Sequence, residues 1–205
     1  MFITFEGGDG AGKTTLINSI KNWFESLHIP VLSTREPDGN LRDLIKGNTW
    51  DKTTELLLFA ADRAHHVNSV IKPALELGTV VLCDRYTHST LAYQGAGRGM
   101  DINKINWLNE MSTNGLNPDL VVWLNVSPQV AESRRFGDTN SRGKLDNIDL
   151  ESIEFHTRVY ECYKEMTKTN PSLFIVLNAE QDPTDVYTEL IQDEKWVQTT
   201  KNFHL

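Results

Sequence analysis

An α/β fold built on a mainly parallel sheet is what this sequence of 205 residues predicts. Three observations predict it. Short β-rich runs alternate with stretches of helical apolar spacing, the pattern of strand–helix–strand units. The run Thr79–Cys83 carries adjacent rather than alternating apolar residues, as in a strand covered on both faces. A glycine-rich turn joins the first strand directly to the first helix.

The elements follow in order. Phe2–Phe5 is the first strand and Gly7–Gly12 the turn. A helix from about Thr14 to Leu27 places Leu16, Ile17, Ile20, Phe24 and Leu27 on one face. Pro30 breaks the chain before the second strand, Val31–Thr34. Thr53–Leu77 is helical in pattern, with Pro73 expected to kink or split it and Gly78 to end it. Thr79–Cys83 is the third strand, and Asp101 caps a helix over Asp101–Ser112. Leu120–Leu124 is the fourth strand. Ser127 and Pro128 read as N-cap and first position of a helix over Pro128–Phe136. The polar stretch GDTNSRGK, Gly137–Lys144, reads as a mobile loop, part of a lid at about 136–148. Asp149–Met166 is helical, Leu173–Leu177 the fifth strand, and Pro183–Val197 a last helix. No repeat, low-complexity tract or linker interrupts the chain, so residues 1–205 are expected to form one domain.

Composition excludes several classes of function. Twenty Lys and Arg against 28 Asp and Glu give a formal net charge of −8. That argues against a broad basic surface for nucleic acid, so positive charge for an anionic ligand must be concentrated locally. Two cysteines, Cys83 and Cys162, are too few for a disulfide framework or a four-cysteine zinc site, and read as reduced cytosolic thiols. The opening MFITFEGG has no basic n-region or long apolar segment, so no secretory signal is expected. The longest apolar stretch near the middle, Leu56–Ala61, is far short of a membrane span. A cytoplasmic protein with neither membrane nor nucleic-acid partners is expected.

The strongest chemical signal is GGDGAGKT at residues 7–14, which fits G-x-x-x-x-G-K-[ST] between a strand and a helix. Glycines let successive backbone N–H groups converge on phosphate oxygens, and the helix N-terminus adds further donors. Gly7, Gly8, Asp9, Gly10, Ala11, Gly12, Lys13, Thr14 and Thr15 are the expected ATP-binding segment. Lys13 is a point charge for the β- and γ-phosphates, and the Thr14 hydroxyl a hard oxygen ligand for Mg²⁺. The apolar run ending at Asp84 is the matching acidic strand, with Asp84 reaching Mg²⁺ partly through water.

The base-reading Asn-Lys-x-Asp motif of GTPases is missing from the sequence. Instead, eight of the nine arginines lie between residues 35 and 142. Arg35 and Arg85 stand at strand C-terminal ends, where open α/β sheets bind ligands. Guanidinium forks bind phosphate bidentately. A second phosphate beside that of ATP implies phosphoryl transfer between nucleotides. Such transfer needs charge neutralisation, in-line placement and exclusion of water rather than a catalytic base. Arg142, in the lid, is placed to reach the transferring group.

In combination these segments resemble thymidylate kinase of the bacterial type. The similarity is carried by FEGGDGAGKTT at 5–15, TREP at 34–37, LLLFAADR at 56–63, VIKPALELGTVVLCDRY at 70–86, STLAYQGAGRG at 89–99, GLNPDLVVWLNV at 115–126 and NAEQDP at 178–183. The resemblance implies a P-loop NTPase three-layer α/β/α sandwich with a five-stranded parallel sheet, like other nucleoside monophosphate kinases. It implies Mg²⁺-dependent transfer from ATP to dTMP, and a homodimer. By the same resemblance Asp9 contacts the deoxyribose 3′-OH, and Arg35, Arg85 and Arg42 hold the dTMP phosphate. Phe59 stacks on thymine, Arg63 donates to its O4, Thr90 and Gln94 contact the base, and Arg98 lines the acceptor site. Position 11 is Ala rather than Arg, so the catalytic arginine is carried to Arg142 in the lid, beside Lys13, Arg85 and Asp9 in the catalytic set.

The sequence departs from the family pattern in three places. The loop REPDGN is short and carries Asp38 where Gly is usual, a negative charge that must point away from the acceptor phosphate. Asn147 occupies a lid position where Arg is common, and Thr90 stands where many members have Ser. A monophosphate kinase of altered base choice and a non-catalytic P-loop module are the alternative readings. His65 and His66 read as surface or packing residues. Trp23, Trp107, Trp123 and Trp196 read as core or interface aromatics, and Trp50 as a loop residue.

Overall fold

In a computed structural model, which describes residues 1–137 and 147–203, five parallel strands form one sheet with helices on both faces. The strands are β1 (Phe2–Glu6), β2 (Val31–Arg35), β3 (Val80–Asp84), β4 (Leu120–Asn125) and β5 (Phe174–Asn178), in the order β2-β3-β1-β4-β5. This is the expected α/β/α sandwich. Each strand lies within a residue or so of its predicted span, and most extend one residue further at the C-terminal end.

Alternation along the strands sorts side chains between two apolar layers. Ile3, Phe5, Val122 and Leu124 face α1 (Lys13–Ser26), where Leu16, Ile17, Ile20 and Phe24 meet them. Trp196, Val186 and Leu190 complete that layer. They come from two helices, α9 (Pro183–Gln192) and α10 (Glu194–Thr200), where one was predicted. The break is Asp193, whose extended backbone stops the first helix and whose carboxylate accepts from Lys195 N and Trp196 N to cap the second. On the other face, Val121 and Trp123 pack on Phe155, Val159 and Tyr163 of α8 (Ile153–Thr169).

The long helical stretch also differs from its prediction. It comprises α3 (Lys52–His66), a π-helical turn over Val67–Ile71, and α4 (Lys72–Glu76). Pro73 has no N–H to continue the i→i−4 ladder, and the ladder widens just before it, with Lys72 N donating to Val67 O. Two elements lie where no helix was predicted. One is α2 (Gly39–Gly47); the other is α5 (Thr87–Thr90), which runs into a π-helical segment, Leu91–Gly97. The remaining helices are α6 (Ile102–Thr113), capped by Asp101 as expected, and α7 (Pro128–Gly137). Trp123 and Trp196 are buried, whereas Trp107 is 66% exposed and so no core residue. Arg142 and most of the proposed lid lie outside the described residues.

Register brings the site together. Arg35 pairs with Asp84, and Phe5 pairs with Asp84 from the other side. The C-terminal ends of β1, β2 and β3 are therefore level, beside the place where the strand order reverses.

Candidate active site

A cavity of about 520 Å³ lies over these strand ends. One wall comes from the glycine turn (Asp9, Gly10, Gly12, Lys13, Thr14 and Thr15), and another carries Arg35, Arg42, Phe59, Arg63, Thr90 and Gln94. Asp84 and Arg85 lie between them.

The turn has the conformation its composition predicts. Gly7, Gly10 and Gly12 have φ of 139°, 88° and 94°, a region other L-residues rarely adopt. Space is also short: a Cβ on Gly7 would lie 2.8 Å from Leu124 O, and one on Gly10 would lie 2.9 Å from Ala131 O. Lys13 is folded back, donating from Nζ to Gly7 O at 3.1 Å and Gly8 O at 3.0 Å, and lies 3.9 Å from Asp84 Oδ1. Burial and then the charge of Arg85 lower its pKa.

Arg85 bridges the two walls. It follows β3 with φ 73°, a strained backbone for a non-glycine residue. Its Nη2 donates to Asp9 Oδ1 at 2.9 Å and to Tyr93 Oη at 3.1 Å, and its Nη1 to Ser89 Oγ at 3.2 Å. Burial opposes its charge, but Asp9, Tyr93, Tyr163 and Asp84 outweigh that and push its pKa up. The DRY segment is anchored by Glu6, fully buried at the end of β1. Glu6 accepts from Tyr86 N at 2.9 Å, Ser89 Oγ at 2.6 Å and Tyr163 Oη at 2.7 Å. Burial raises its pKa, and these hydrogen bonds oppose the rise.

The acceptor wall is built on α3. Phe59 and Arg63 share a face four residues apart, and both line the cavity. Arg63 is 2% exposed and donates to Glu36 Oε2 (2.7 Å), Thr90 Oγ1 (3.0 Å), Asn109 Oδ1 (2.8 Å) and Tyr86 O (3.1 Å). These bonds use four of its five N–H groups, leaving one on Nη2. The Thr90 hydroxyl, accepting from Arg63, keeps its own proton to donate. Gln94 Nε2 is held by Glu55 at 2.8 Å. The Arg35 guanidinium makes no hydrogen bond among the described residues, and Arg42 Nη1 donates to Pro37 O at 3.1 Å.

Of the phosphate turn, Gly7, Gly8 and Ala11 do not line this cavity, and of the described dTMP-site candidates Arg98 alone lies outside it. Glu55 and Glu151 hold its guanidinium from two sides, and it lines a separate hollow of about 170 Å³. The two carboxylates outcompete the cavity for its donors. Asp38 likewise is not among the residues that line the main cavity. It borders a neighbouring hollow with Arg35 and Asp84, while its backbone N–H is fixed by Asp62 Oδ2 at 2.9 Å. Asn147, in place of the lid arginine, donates to Asn48 O at 2.7 Å.

Sequence reasoning missed Glu6, Glu36, Tyr93 and Asn109. Glu6, Glu36 and Asn109 each hold an arginine or its loop from a distant element, so no local spacing marks them, and Tyr93 reaches Arg85 from eight positions on. His66 is a packing residue as expected, but a polar one, with Nε2 2.7 Å from Thr34 Oγ1 and Nδ1 3.3 Å from Glu36 Oε1.

The arrangement gathers an anion-binding turn, a set of guanidinium groups, an aromatic ring and amide and hydroxyl groups in one cavity. That suits a triphosphate facing a nucleoside monophosphate. Comparison with known proteins agrees. The sequence model of the family described as thymidylate kinase matches residues 5–190. A thymidylate kinase of Synechococcus sp. (strain JA-2-3B'a(2-13)) is 43% identical over 196 residues, covering 93% of this chain and 92% of its own. One of Nostoc sp. (strain PCC 7120) is 42% identical over 195 residues, covering 91% of each. One of Desulfovibrio desulfuricans (strain ATCC 27774) is 43% identical over 199 residues, again covering 91% of each. Motif, fold, cavity and likeness over most of the length together make this chain a member of the thymidylate kinase family.

Proposed function

We propose that the chain transfers the γ-phosphoryl group of ATP to dTMP, giving dTDP and ADP. The observation that carries this reading is that Lys13, Arg85, Arg35 and the Phe59–Arg63 pair line one cavity. ATP lies with its phosphates on Gly7–Thr15 and Lys13. The dTMP phosphate lies between Arg35, Arg42 and Arg85. Thymine stacks on Phe59, with O4 at the remaining Nη2–H of Arg63 and its other edge toward Thr90 and Gln94. Asp9, which here holds Arg85, is placed to accept the 3′-OH.

The attacking atom is a phosphate oxygen of dTMP, anionic at neutral pH because its second pKa is about 6. A bond forms from it to the γ-phosphorus as the bond from that phosphorus to the β–γ bridging oxygen breaks, and ADP takes the electron pair. No side chain needs to remove a proton. Lys13 neutralises the donor oxygens, Arg85 holds the acceptor in line, and Arg142 is assigned to the group in transit. The residues also fit Mg²⁺. Asp84 Oδ1 is buried without a hydrogen-bond partner among the described residues, and Thr14 lines the same cavity. When bound, the ion supplies charge neutralisation at the β- and γ-oxygens.

A homodimer is supported by Leu57, Trp107 and Met111, which are 54%, 66% and 57% exposed on the packed helices α3 and α6. The free cysteines support a reducing, cytoplasmic compartment. Among the described residues no helix is long and apolar enough to cross a membrane.

The test is ADP release with ATP, Mg²⁺ and a panel of nucleoside monophosphates. Turnover selective for dTMP supports the reading. Equal turnover of another monophosphate marks altered base choice, and ATP binding without any turnover marks a non-catalytic module.

A further inference from the structure

The mechanism above leaves one buried cation unused. Arg135, near the end of α7, is 5% exposed and lines the main cavity together with Lys13 and Asp9. Its Nη1 lies 3.3 Å from His156 Nδ1. Its Nε and Nη2 are shielded from solvent and have no hydrogen-bond partner among the described residues. Three N–H donors of a permanently charged group are therefore without an acceptor among the described residues. Burying a charge this way is costly unless a counter-ion arrives.

Position says which counter-ion. A Cβ on Gly10 would lie 3.5 Å from Arg135 Cγ, so the arginine stem rests against the phosphate-binding turn itself. The charge of Arg135 is felt by Tyr93, which bonds Arg85 and Asp9. The guanidinium thus stands near the junction of the donor and acceptor halves, on a helix rather than on the lid. Burial and then the charge of Arg135 lower the pKa of His156. Nδ1 of the ring offers Arg135 a lone pair rather than a negative charge.

Resting on the phosphoryl-transfer reading, we infer that Arg135 is a catalytic cation that donates Nε–H and Nη2–H to the phosphoryl group in transit. His156 is the positioning residue that holds its fork. A turn of the terminal torsions carries the fork from its shielded position onto an anion entering beside Lys13.

The test compares the wild type with Arg135→Met, Arg135→Lys, His156→Gln and His156→Phe. Rates are measured with ATP, Mg²⁺ and dTMP, and binding is measured for ADP alone and for ADP with aluminium fluoride and dTMP. Arg135→Met is expected to lower kcat by about 10²-fold or more, with both KM values within about threefold. Its affinity for the aluminium fluoride complex falls by a similar factor, while ADP alone binds within about threefold of the wild type. Arg135→Lys, which keeps the charge without the fork, recovers about tenfold of the lost rate. His156→Gln keeps an acceptor and stays near the wild-type rate, whereas His156→Phe loses about tenfold in kcat with KM unchanged. If Arg135→Met fails to fold, Arg135→Lys carries the same comparison against the wild type. The inference is overturned if the arginine variants turn over within about threefold of the wild type. It is also overturned if they lose ADP and the aluminium fluoride complex equally, together with thermal stability, which marks a packing role. A wild type inert toward every monophosphate overturns the phosphoryl-transfer reading itself, and this inference with it.

Discussion

Replacing Arg63 by Met leaves Glu36 as a buried carboxylate whose remaining side-chain hydrogen-bond partner among the described residues is His66, at 3.3 Å. The side chains of the Arg63–Glu36 pair are 3% and 4% exposed, and their 2.7 Å contact is a charge-assisted hydrogen bond. Thr90, Asn109 and the Tyr86 carbonyl lose their donor at the same time. Breaking a buried pair from one side costs about 3–5 kcal/mol, most of it the uncompensated charge left behind. For a chain of this size each kcal/mol shifts Tm by about 2–4 °C, so Arg63→Met is expected to melt roughly 6–20 °C lower. Neutralising the orphan should return part of the loss. In the double variant Arg63→Met, Glu36→Gln the two changes are therefore not additive, with a coupling of about 2 kcal/mol or more. Equilibrium urea unfolding followed by the fluorescence of the buried Trp123 and Trp196 reads both quantities. A single-variant cost below about 1 kcal/mol, the range of exposed pairs, or strict additivity would refute the reasoning.

Further outcomes are expected elsewhere in the molecule. Lys13→Met should keep the fold and lose about 10²-fold or more in kcat, measured as ADP release with saturating substrates. Burial raises the pKa of Asp62 from 3.8 to about 6. The folded state then holds more protons than the unfolded state between these values, so this group's contribution to stability is lost as pH rises from 3.8 to about 6. Asp62→Asn removes that fall, and the difference between its pH–stability curve and that of the wild type should be confined to this window. A Cβ on Gly97 would lie 2.6 Å from the ring of buried Phe155, so Gly97→Ala is expected to destabilise by about 1–3 kcal/mol in urea unfolding. Gly47→Ala, which meets open space, serves as its control.

The sheet was legible in the sequence because parallel strands bury both faces, so runs such as Val80–Cys83 are apolar throughout. The phosphate turn was legible because its glycines meet a steric requirement that Gly7 and Gly10 fulfil against Leu124 O and Ala131 O. Capping residues such as Asp101 marked a helix start correctly. What remained hidden depends on contacts between distant elements. Glu6 looks like any residue at a strand end, and only the fold shows it buried under Tyr86, Ser89 and Tyr163. Asn109 reaches Arg63 from 46 positions away. The split of the final helix at Asp193 reflects a backbone turn that apolar spacing alone does not mark. Arg98 sits within a family motif, yet Glu55 and Glu151 turn it from the main cavity, a competition that spacing cannot reveal.

The central claim is that the glycine turn and the guanidinium wall grip two anions end to end in one cavity. A molecule joining adenosine and thymidine through a chain of five phosphates tests it most directly, by calorimetry and by inhibition against each substrate in turn. The account predicts binding at least about 10²-fold tighter than ATP or dTMP alone, and competition with both. Competition with only one substrate, or an affinity no better than that of the single nucleotides, would contradict it.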